Sequence, residues 1–245
     1  MATKQNTFHA VLFDLDGTLI DTTQAILESL KHTIHYFTGV TPKESELRPY
    51  MGLPLFDQFA LLLPRNEDKA CQMYVEHNLS IHKKHVKSFP GVTSTLEKLK
   101  ANGIKLGLVT SKRRHTAIVG LEIAGIQSIF DALVFCDDTI KHKPDPAPIL
   151  KALDILGYHP AATTLNPRAS APASIFRVLM VGDSPSDINA AKNADRAFGS
   201  VVVSVQSAGV TYGAYEKDVI EQEKPDYVLD DISQVLTLCG LADKV

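Results

Sequence analysis

The chain has 245 residues, of which 44% are hydrophobic and 22% charged, and its formal net charge is −3 at pH 7. A mildly acidic chain lacks the basic face that nucleic-acid binding usually needs. The sequence contains no run of about 18 apolar residues, so we expect no membrane span. Cys71, Cys136 and Cys239 form no CxxC pair, so we expect neither a disulfide framework nor a thiolate metal site, and a location in the reducing cytoplasm.

The first predicted element is the apolar run FHAVLF (residues 8–13), which ends at Asp14 and is soon followed by Gly17. This pattern predicts a buried strand that runs into a turn. Side chains at i and i+2 share one face of a strand, so Asp14 and Asp16 can enter one site. Two nearby carboxylates repel each other unless a cation intervenes, and Mg²⁺ favours oxygen ligands. Taken alone, a turn rich in Asp and Gly explains the segment equally well.

Residues 21–88 show helical spacing and no convincing strand. We predict a helical subdomain inserted between the first and second core strands, although these helices could instead pack directly on the sheet. His82 and His85 lie three apart among lysines, which indicates a solvated helix end rather than a metal pair. Apolar stripes mark three helices, at Ile26, Leu30, Ile34 and Phe37, at Phe56, Phe59, Ala60 and Leu63, and within residues 73–81.

The remainder of the chain alternates between short apolar runs and helical patterns. This alternation predicts an α/β fold with a Rossmann-like parallel sheet as its core, and ligands bound at the carboxyl ends of the strands. Residues 158–177 contain three prolines and little periodicity, which is typical of a long surface loop. The predicted strands lie within residues 105–110, 132–136, 178–181, 201–205 and 226–229.

Polar residues follow three of these predicted elements. Thr110 and Ser111 end the second core strand, where a hydroxyl can bind a phosphoryl oxygen. Lys143 precedes a proline and is therefore biased towards an extended backbone, although alone it is better explained as a surface lysine. Asp183 ends a buried run, whereas Asp187 fits either a site or the capping box of a helix that begins near Ser184.

Taken together, these residues resemble the signature of the haloacid dehalogenase superfamily, in its phosphatase branch, across nearly the whole chain. VLFDLDGTLIDT (residues 11–22) and VLMVGDSPSDINAAKNA (178–194) carry the resemblance. The chain is also similar to the bacterial pyrophosphatases and their phosphoglycolate phosphatase relatives, through LRPYMGLPLFDQF (47–59), GIKLGLVTSKRRHT (103–116) and KPDP (143–146). It departs from their pattern at residues 158–177 and at Ser111.

The resemblance implies a role for each motif. Asp14 would attack phosphorus and become aspartyl phosphate, while Asp16 would protonate the leaving group and later deprotonate water. Thr110 and Lys143 would hold phosphoryl oxygens. The implied ligands of Mg²⁺ are Asp14, the backbone carbonyl of Asp16, Asp183 and Asp187.

The expected reaction is Mg²⁺-dependent hydrolysis of a small anionic phosphorylated compound, with pyrophosphate as the first choice. Phosphoglycolate or another small organic monophosphate is the alternative, and a phosphomutase would use the same two aspartates. The expected division is a catalytic core of residues 1–20 and 89–245 with a substrate-selecting cap of residues 21–88. The sequence does not indicate an oligomeric state. The expected substrate-binding residues are Thr110, Ser111, Lys143, Gly52, Arg48 and Lys112.

Overall fold

The computed structural model describes residues 8–158, 175–198 and 203–241. The strands in chain order are β1 (Ala10–Phe13), β2 (Ile20–Asp21), β3 (Lys87–Ser88), β4 (Lys105–Val109), β5 (Ala132–Val134), β6 (Phe176–Gly182), β7 (Val203–Val210) and β8 (Tyr227–Leu229). The α-helices are α1 (Thr23–Thr38), α2 (Glu44–Leu47), α3 (Leu55–Leu62), α4 (Glu67–His85), α5 (Val92–Ala101), α6 (Arg114–Ala124), α7 (Ala147–Ile155), α8 (Pro185–Phe198), α9 (Lys217–Gln222) and α10 (Gln234–Leu238).

Six of the described strands form one parallel sheet in the order β5-β4-β1-β6-β7-β8. The predicted α/β class with a parallel sheet is therefore confirmed. β1 lies inside the sheet, and each of its four side chains is fully buried. A strand that is covered on both faces needs apolar residues at every position, which is why its sequence is a continuous run rather than an alternation.

The register of the sheet places three strand ends side by side. Phe13, the last residue of β1, pairs with Leu108 of β4 and with Val181 of β6. Because all three strands run in the same direction, the residues that follow them emerge at one edge of the sheet. Asp14, Thr110 and Asp183 come from these three ends.

The segment from α1 to α4 builds a hydrophobic cluster of its own. Leu30, Phe59 and Tyr74 belong to this cluster, and the rings of Phe59 and Tyr74 meet edge to face with centroids 5.9 Å apart. Helices form where the apolar stripes predicted them. The boundaries of the predicted cap, between residues 20 and 21 and between residues 88 and 89, stay a prediction.

A two-stranded antiparallel ribbon joins the two ends of this helical segment. β2 pairs with β3 through Ile20 opposite Ser88 and Asp21 opposite Lys87. The expectation of no strand between residues 21 and 88 is wrong at these two ends. A strand of two residues is too short to show alternation, so the sequence pattern cannot reveal it.

Part of the predicted loop at residues 158–177 lies outside the described residues, namely residues 159–174. Its last two residues, Phe176 and Arg177, belong to β6. Val203 opens β7, and residues 201 and 202 of the strand predicted there are also outside the description. Among the described helices, none combines the length and apolar character that crossing a bilayer would require.

Candidate active site

The four sequence motifs meet at the carboxyl edge of the sheet. Asp14, Thr110 and Asp183 follow β1, β4 and β6, and Lys143 comes from the connection between β5 and α7. All four side chains are buried. Together with Asp16 and Ser184 they line a cleft that also borders the helical segment at Gly52 and Leu55.

Lys143 is the centre of the charged contacts. Its ammonium donates to Asp14 Oδ1 at 2.7 Å, to Asp187 Oδ1 at 2.6 Å and to the Val109 carbonyl at 3.0 Å. Burial lowers the pKa of the lysine, but the two adjacent carboxylates outweigh that effect and raise its pKa above the usual value. Lys143 therefore stays positively charged at a place where a buried cation would otherwise be costly.

Three buried carboxylates form a cluster that fits a metal ion. One oxygen from each of Asp14, Asp183 and Asp187 lies within 4.8 Å of the other two. Burial raises the pKa of Asp14 to about 7 and raises that of Asp183 well above its usual value, and mutual repulsion adds to both shifts. A divalent cation would relieve this repulsion, and three hard oxygen donors suit Mg²⁺.

Glycines make room for the carboxylate of Asp183. A Cβ atom placed on Gly17 would come within 2.1 Å of Asp183 Oδ2, and one on Gly213 within 2.3 Å of Asp183 Cβ. Gly17 also has a φ of +81°, which favours glycine. The carboxylate is held by the Ala214 N–H, which donates to its Oδ2 at 2.7 Å.

Asp187 combines the two roles that its sequence allows. Its Oδ2 accepts hydrogen bonds from the hydroxyl of Ser184 at 2.5 Å and from the Ser184 N–H at 3.2 Å. The Asp187 N–H donates to the Ser184 carbonyl at 3.1 Å. This reciprocal arrangement caps α8, while the other carboxylate oxygen binds Lys143. Asp187 is thus a capping residue that also faces the charged cluster.

Asp16 lies beside this cluster rather than within it. Its Oδ1 accepts hydrogen bonds from the Thr22 hydroxyl at 2.7 Å and from Lys112 Nζ at 2.8 Å. The side chain is about one fifth exposed, at 22%, and faces the cleft. Asp21 accepts the Thr23 N–H at 3.0 Å at the start of α1 instead. The role of the Asp16 carbonyl as a metal ligand stays a prediction.

The predicted substrate-binding residues divide into two groups. Thr110, Ser111, Lys112, Lys143 and Gly52 all line the cleft, as expected of substrate contacts. The buried Ser111 hydroxyl has no hydrogen-bond partner among the described residues, which leaves it available to a ligand.

Arg48 is the member of the predicted set that does not line the cleft. Its guanidinium donates instead to the Ala214 carbonyl at 3.2 Å. Arg113 does line the cleft, and its side chain is 56% exposed with only a distant ion pair to Asp137, at 4.0 Å. Sequence reasoning overlooked Arg113 although it directly follows Lys112 in the same motif.

One further contact and one buried side chain were not foreseen. Tyr215 donates a hydrogen bond from its hydroxyl to the Met51 carbonyl at 2.6 Å, which links the core to the helical segment. His82 is fully buried and its ring nitrogens have no partner in the described structure, so the predicted solvated helix end is wrong at this residue. Burial lowers the pKa of His82 to about 4 and keeps the ring neutral. The lysines around His82 in the sequence suggested exposure, but α4 turns this residue inward.

The family described as haloacid dehalogenase-like hydrolase matches residues 11–201. Pyrophosphatase PpaX of Oceanobacillus iheyensis is 34% identical over 230 residues, which cover 94% of this chain and 96% of that protein. The putative pyrophosphatase PpaX of Caldanaerobacter subterraneus is 39% identical over 239 residues and 96% of both chains.

Solved structures share the fold. A putative haloacid dehalogenase-like hydrolase from Bacteroides fragilis superimposes with a TM-score of 0.76 at 24% identity, covering 93% of this chain and 99% of that one. A predicted phosphoglycolate phosphatase from Haemophilus somnus gives a TM-score of 0.73 at 24% identity, covering 95% and 98%. At this level of identity, the likeness concerns the fold alone.

Proposed function

The chain belongs to the haloacid dehalogenase-like hydrolases and is a phosphatase of that family, and on this premise we propose a substrate, a cofactor and a nucleophile. The substrate is inorganic pyrophosphate, the cofactor is Mg²⁺ and the nucleophile is Asp14. The observation that carries the proposal is the buried cluster in which Lys143 binds both Asp14 and Asp187 beside Asp183, in a cleft that also holds Asp16.

Asp14, Asp183 and Asp187 would hold the metal ion, with the backbone carbonyl of Asp16 as a further ligand. When bound, Mg²⁺ supplies positive charge that orients the phosphoryl group and offsets its developing negative charge. Lys143 already supplies one buried positive charge at Asp14. This charge opposes the effect of burial on the pKa of Asp14 and favours the ionised carboxylate, which an attacking oxygen requires, and a bound cation would favour it further.

The reaction would proceed in two halves. Asp14 attacks phosphorus, the bond from phosphorus to the leaving oxygen breaks, and Asp16 passes a proton to that oxygen. In the second half Asp16 takes a proton from water, whose oxygen attacks phosphorus and releases phosphate and the free Asp14 carboxylate. Thr110 and Ser111 would donate to phosphoryl oxygens from the end of β4.

Lys112 offers a way to couple substrate binding to the acid role of Asp16. In the free protein its ammonium is bound to Asp16 Oδ1 at 2.8 Å. An anionic substrate would compete with Asp16 for this ammonium. Movement of Lys112 to the substrate would free Asp16 Oδ1 to face the leaving group.

The charges around the cleft favour a substrate with an anionic leaving group. Lys112, Arg113 and Lys143 are the cations that line it within the described chain. Lys143 is engaged by two carboxylates, so we assign Lys112 and Arg113 to the second phosphate, where charge-assisted hydrogen bonds would bind it. The cleft has a cavity volume of about 90 Å³, which suits a small anion rather than a polymer.

We also propose that residues 21–88 form a cap that selects the substrate, over a core of residues 1–20 and 89–245. The cluster of apolar side chains within the helical segment supports this division. Gly52, with a φ of +90°, shapes the loop that borders the cleft. The core residues bind the phosphoryl group that every substrate shares, so discrimination must come from the surroundings of the leaving group.

A phosphatase panel tests the proposed substrate. The purified protein would be assayed with Mg²⁺ on pyrophosphate, phosphoglycolate and several sugar phosphates. We expect kcat/KM to be highest for pyrophosphate. A higher value for phosphoglycolate or a sugar phosphate would refute pyrophosphate as the substrate while leaving the phosphatase chemistry intact.

A further inference from the structure

The loop of residues 211–216, which follows β7 and is called here the β7 loop, contacts both sides of the cleft. On the core side, the Ala214 N–H donates to Asp183 Oδ2 at 2.7 Å. On the other side, the Ala214 carbonyl accepts a hydrogen bond from Arg48 at 3.2 Å. A single residue of this loop therefore touches a proposed metal ligand and the helical segment.

Tyr215 makes the shorter of the two hydrogen bonds to the helical segment. Its hydroxyl donates to the Met51 carbonyl at 2.6 Å, and Met51 itself is buried in the helical cluster. Burial raises the pKa of Tyr215 to about 12, so its hydroxyl remains a donor at neutral pH. A hydrogen bond that is half-shielded from water holds its partner more firmly than an exposed one.

The Met51 carbonyl lies one residue before Gly52, the glycine at the rim of the cleft. A Cβ atom on Gly52 would lie 3.6 Å from Ser184 Cβ and 3.9 Å from the Tyr215 ring. The loop of the helical segment thus packs directly on the residue that begins the α8 motif and on the tyrosine that holds it. Displacement of this loop would open the cleft above Asp14.

We propose that Tyr215 is a positioning residue that holds the loop of residues 51–53 closed over the phosphoryl site, and that the β7 loop couples this closure to the carboxylate of Asp183. The proposal rests on the proposed function only for the identity of the metal and of the substrate. The basis for the coupling is Ala214, whose N–H binds Asp183 while its carbonyl binds Arg48.

A positioning role and a purely structural role for Tyr215 predict different effects of its loss on the closed state. If Tyr215 holds the loop, its loss lowers the closed fraction, and the apparent affinity for substrate falls by that factor. Substrate at saturation restores closure, so KM should rise while kcat remains nearly constant. A tyrosine that only stabilised the fold would lower the melting temperature without this division between KM and kcat.

Hydrogen–deuterium exchange of residues 48–53 tests the proposal in the full chain, with and without Mg²⁺. We compare the wild type with Tyr215→Phe, and we use Tyr212→Phe as the matched control. Tyr212 lies in the same loop, but its hydroxyl donates to the Thr18 carbonyl within the core, at 3.1 Å. The two variants lose the same chemical group and differ in whether the lost bond reaches the helical segment.

The expected result is that Tyr215→Phe speeds exchange at residues 48–53 about 2- to 10-fold, in line with the loss of one neutral hydrogen bond. Tyr212→Phe should leave this exchange unchanged. KM for the substrate preferred in the panel should rise by a similar factor in Tyr215→Phe alone. Unchanged exchange in Tyr215→Phe, or equal acceleration in both variants, would overturn the proposal.

A second variant tests the coupling and covers the case in which Tyr215→Phe does not fold. Arg48→Gln removes the contact with Ala214 and should also speed exchange at residues 48–53. Mg²⁺ should slow this exchange in the wild type and do so less in Arg48→Gln, although calorimetry still detects Mg²⁺ binding. An equal effect of Mg²⁺ in both proteins would refute the coupling. These readouts do not use a substrate, so they remain valid if pyrophosphate proves to be the wrong one.

Discussion

The two sides of the cleft are built in different ways. The sheet edge presents buried charges that bind one another, such as Lys143, which is 3% exposed and contacts Asp14 and Asp187 within 2.7 Å. The helical side reaches the β7 loop through two hydrogen bonds to backbone carbonyls, from Tyr215 to Met51 and from Arg48 to Ala214. Breaking a buried charged network costs much more than losing one such hydrogen bond. From this difference we expect the chemistry to depend on the sheet edge and substrate selection to depend on the more weakly held helical side.

The largest effect should come from Asp14→Asn, on the sheet-edge side of the cleft. An amide cannot act as the nucleophile, so we expect turnover to fall roughly 10⁴-fold or more. The fold should persist, because the change removes one of three mutually repelling carboxylates. Steady-state assays together with circular dichroism measure both effects, and hydrolysis near the wild-type rate by a folded variant would remove Asp14 from the mechanism.

Removal of the metal should be almost as severe. Without a divalent cation the single charge of Lys143 only partly offsets the three carboxylates of Asp14, Asp183 and Asp187, so we expect EDTA to abolish activity and Mg²⁺ to restore it. Ca²⁺ should fail to restore activity, because it prefers more ligands and a looser geometry than Mg²⁺. The assay is a titration of each ion into the chelated enzyme. Full activity after thorough chelation would contradict the proposed use of the carboxylate cluster.

Asp16→Asn should have a smaller but still large effect. Loss of a general acid and base lowers turnover by roughly 10²–10⁴-fold, and less for pyrophosphate, whose leaving phosphate needs little protonation. Asp21→Asn is the matched control, since among the described residues its carboxylate accepts only the Thr23 N–H, at the exposed start of α1. Rates are compared on substrates with good and poor leaving groups. Equal rates of wild type and Asp16→Asn on a poor leaving group would refute the assigned role.

The smallest effect on catalysis should come from Arg113, a half-exposed residue that lines the cleft. Arg113→Gln should raise KM for pyrophosphate about 10-fold, the loss expected for one charged hydrogen bond, and should leave p-nitrophenyl phosphate almost unaffected. Arg114→Gln is the control, because Arg114 is held by Asp138 at 2.7 and 2.9 Å and does not line the cleft. If both substrates lose affinity equally, or if the two variants behave alike, Arg113 does not recognise the second phosphate.

The two sides also differ in how far sequence could predict them. Asp14, Thr110 and Asp183 could be placed together because each ends a buried apolar run, and the ends of parallel strands coincide. The fold class followed from the same runs and from the helical spacing between them. Local sequence patterns predict a strand or a helix well where neighbouring elements bury it along its whole length.

Contacts between residues far apart in the sequence could not be predicted in this way. Tyr215 and Met51 are 164 residues apart, and Lys112 and Asp16 are 96 residues apart. No local periodicity relates such residues, because their meeting depends on how the two parts of the chain pack. His82 is a similar case, since it stands among lysines in the sequence and is nevertheless fully buried. For the contact made by Tyr215, the available signal was the pair of tyrosines, Tyr212 and Tyr215, just after β7.

Whether Asp14 carries the phosphoryl group during turnover can be measured by trapping the intermediate. The enzyme would be mixed with Mg²⁺ and pyrophosphate, quenched with acid within milliseconds, reduced with borohydride and analysed by peptide mass spectrometry. Reduction converts an aspartyl phosphate to homoserine, so we expect homoserine at position 14, and none in Asp14→Asn or without Mg²⁺. Turnover of pyrophosphate with no modified residue, or with the modification at a different residue, would show that Asp14 is not the nucleophile.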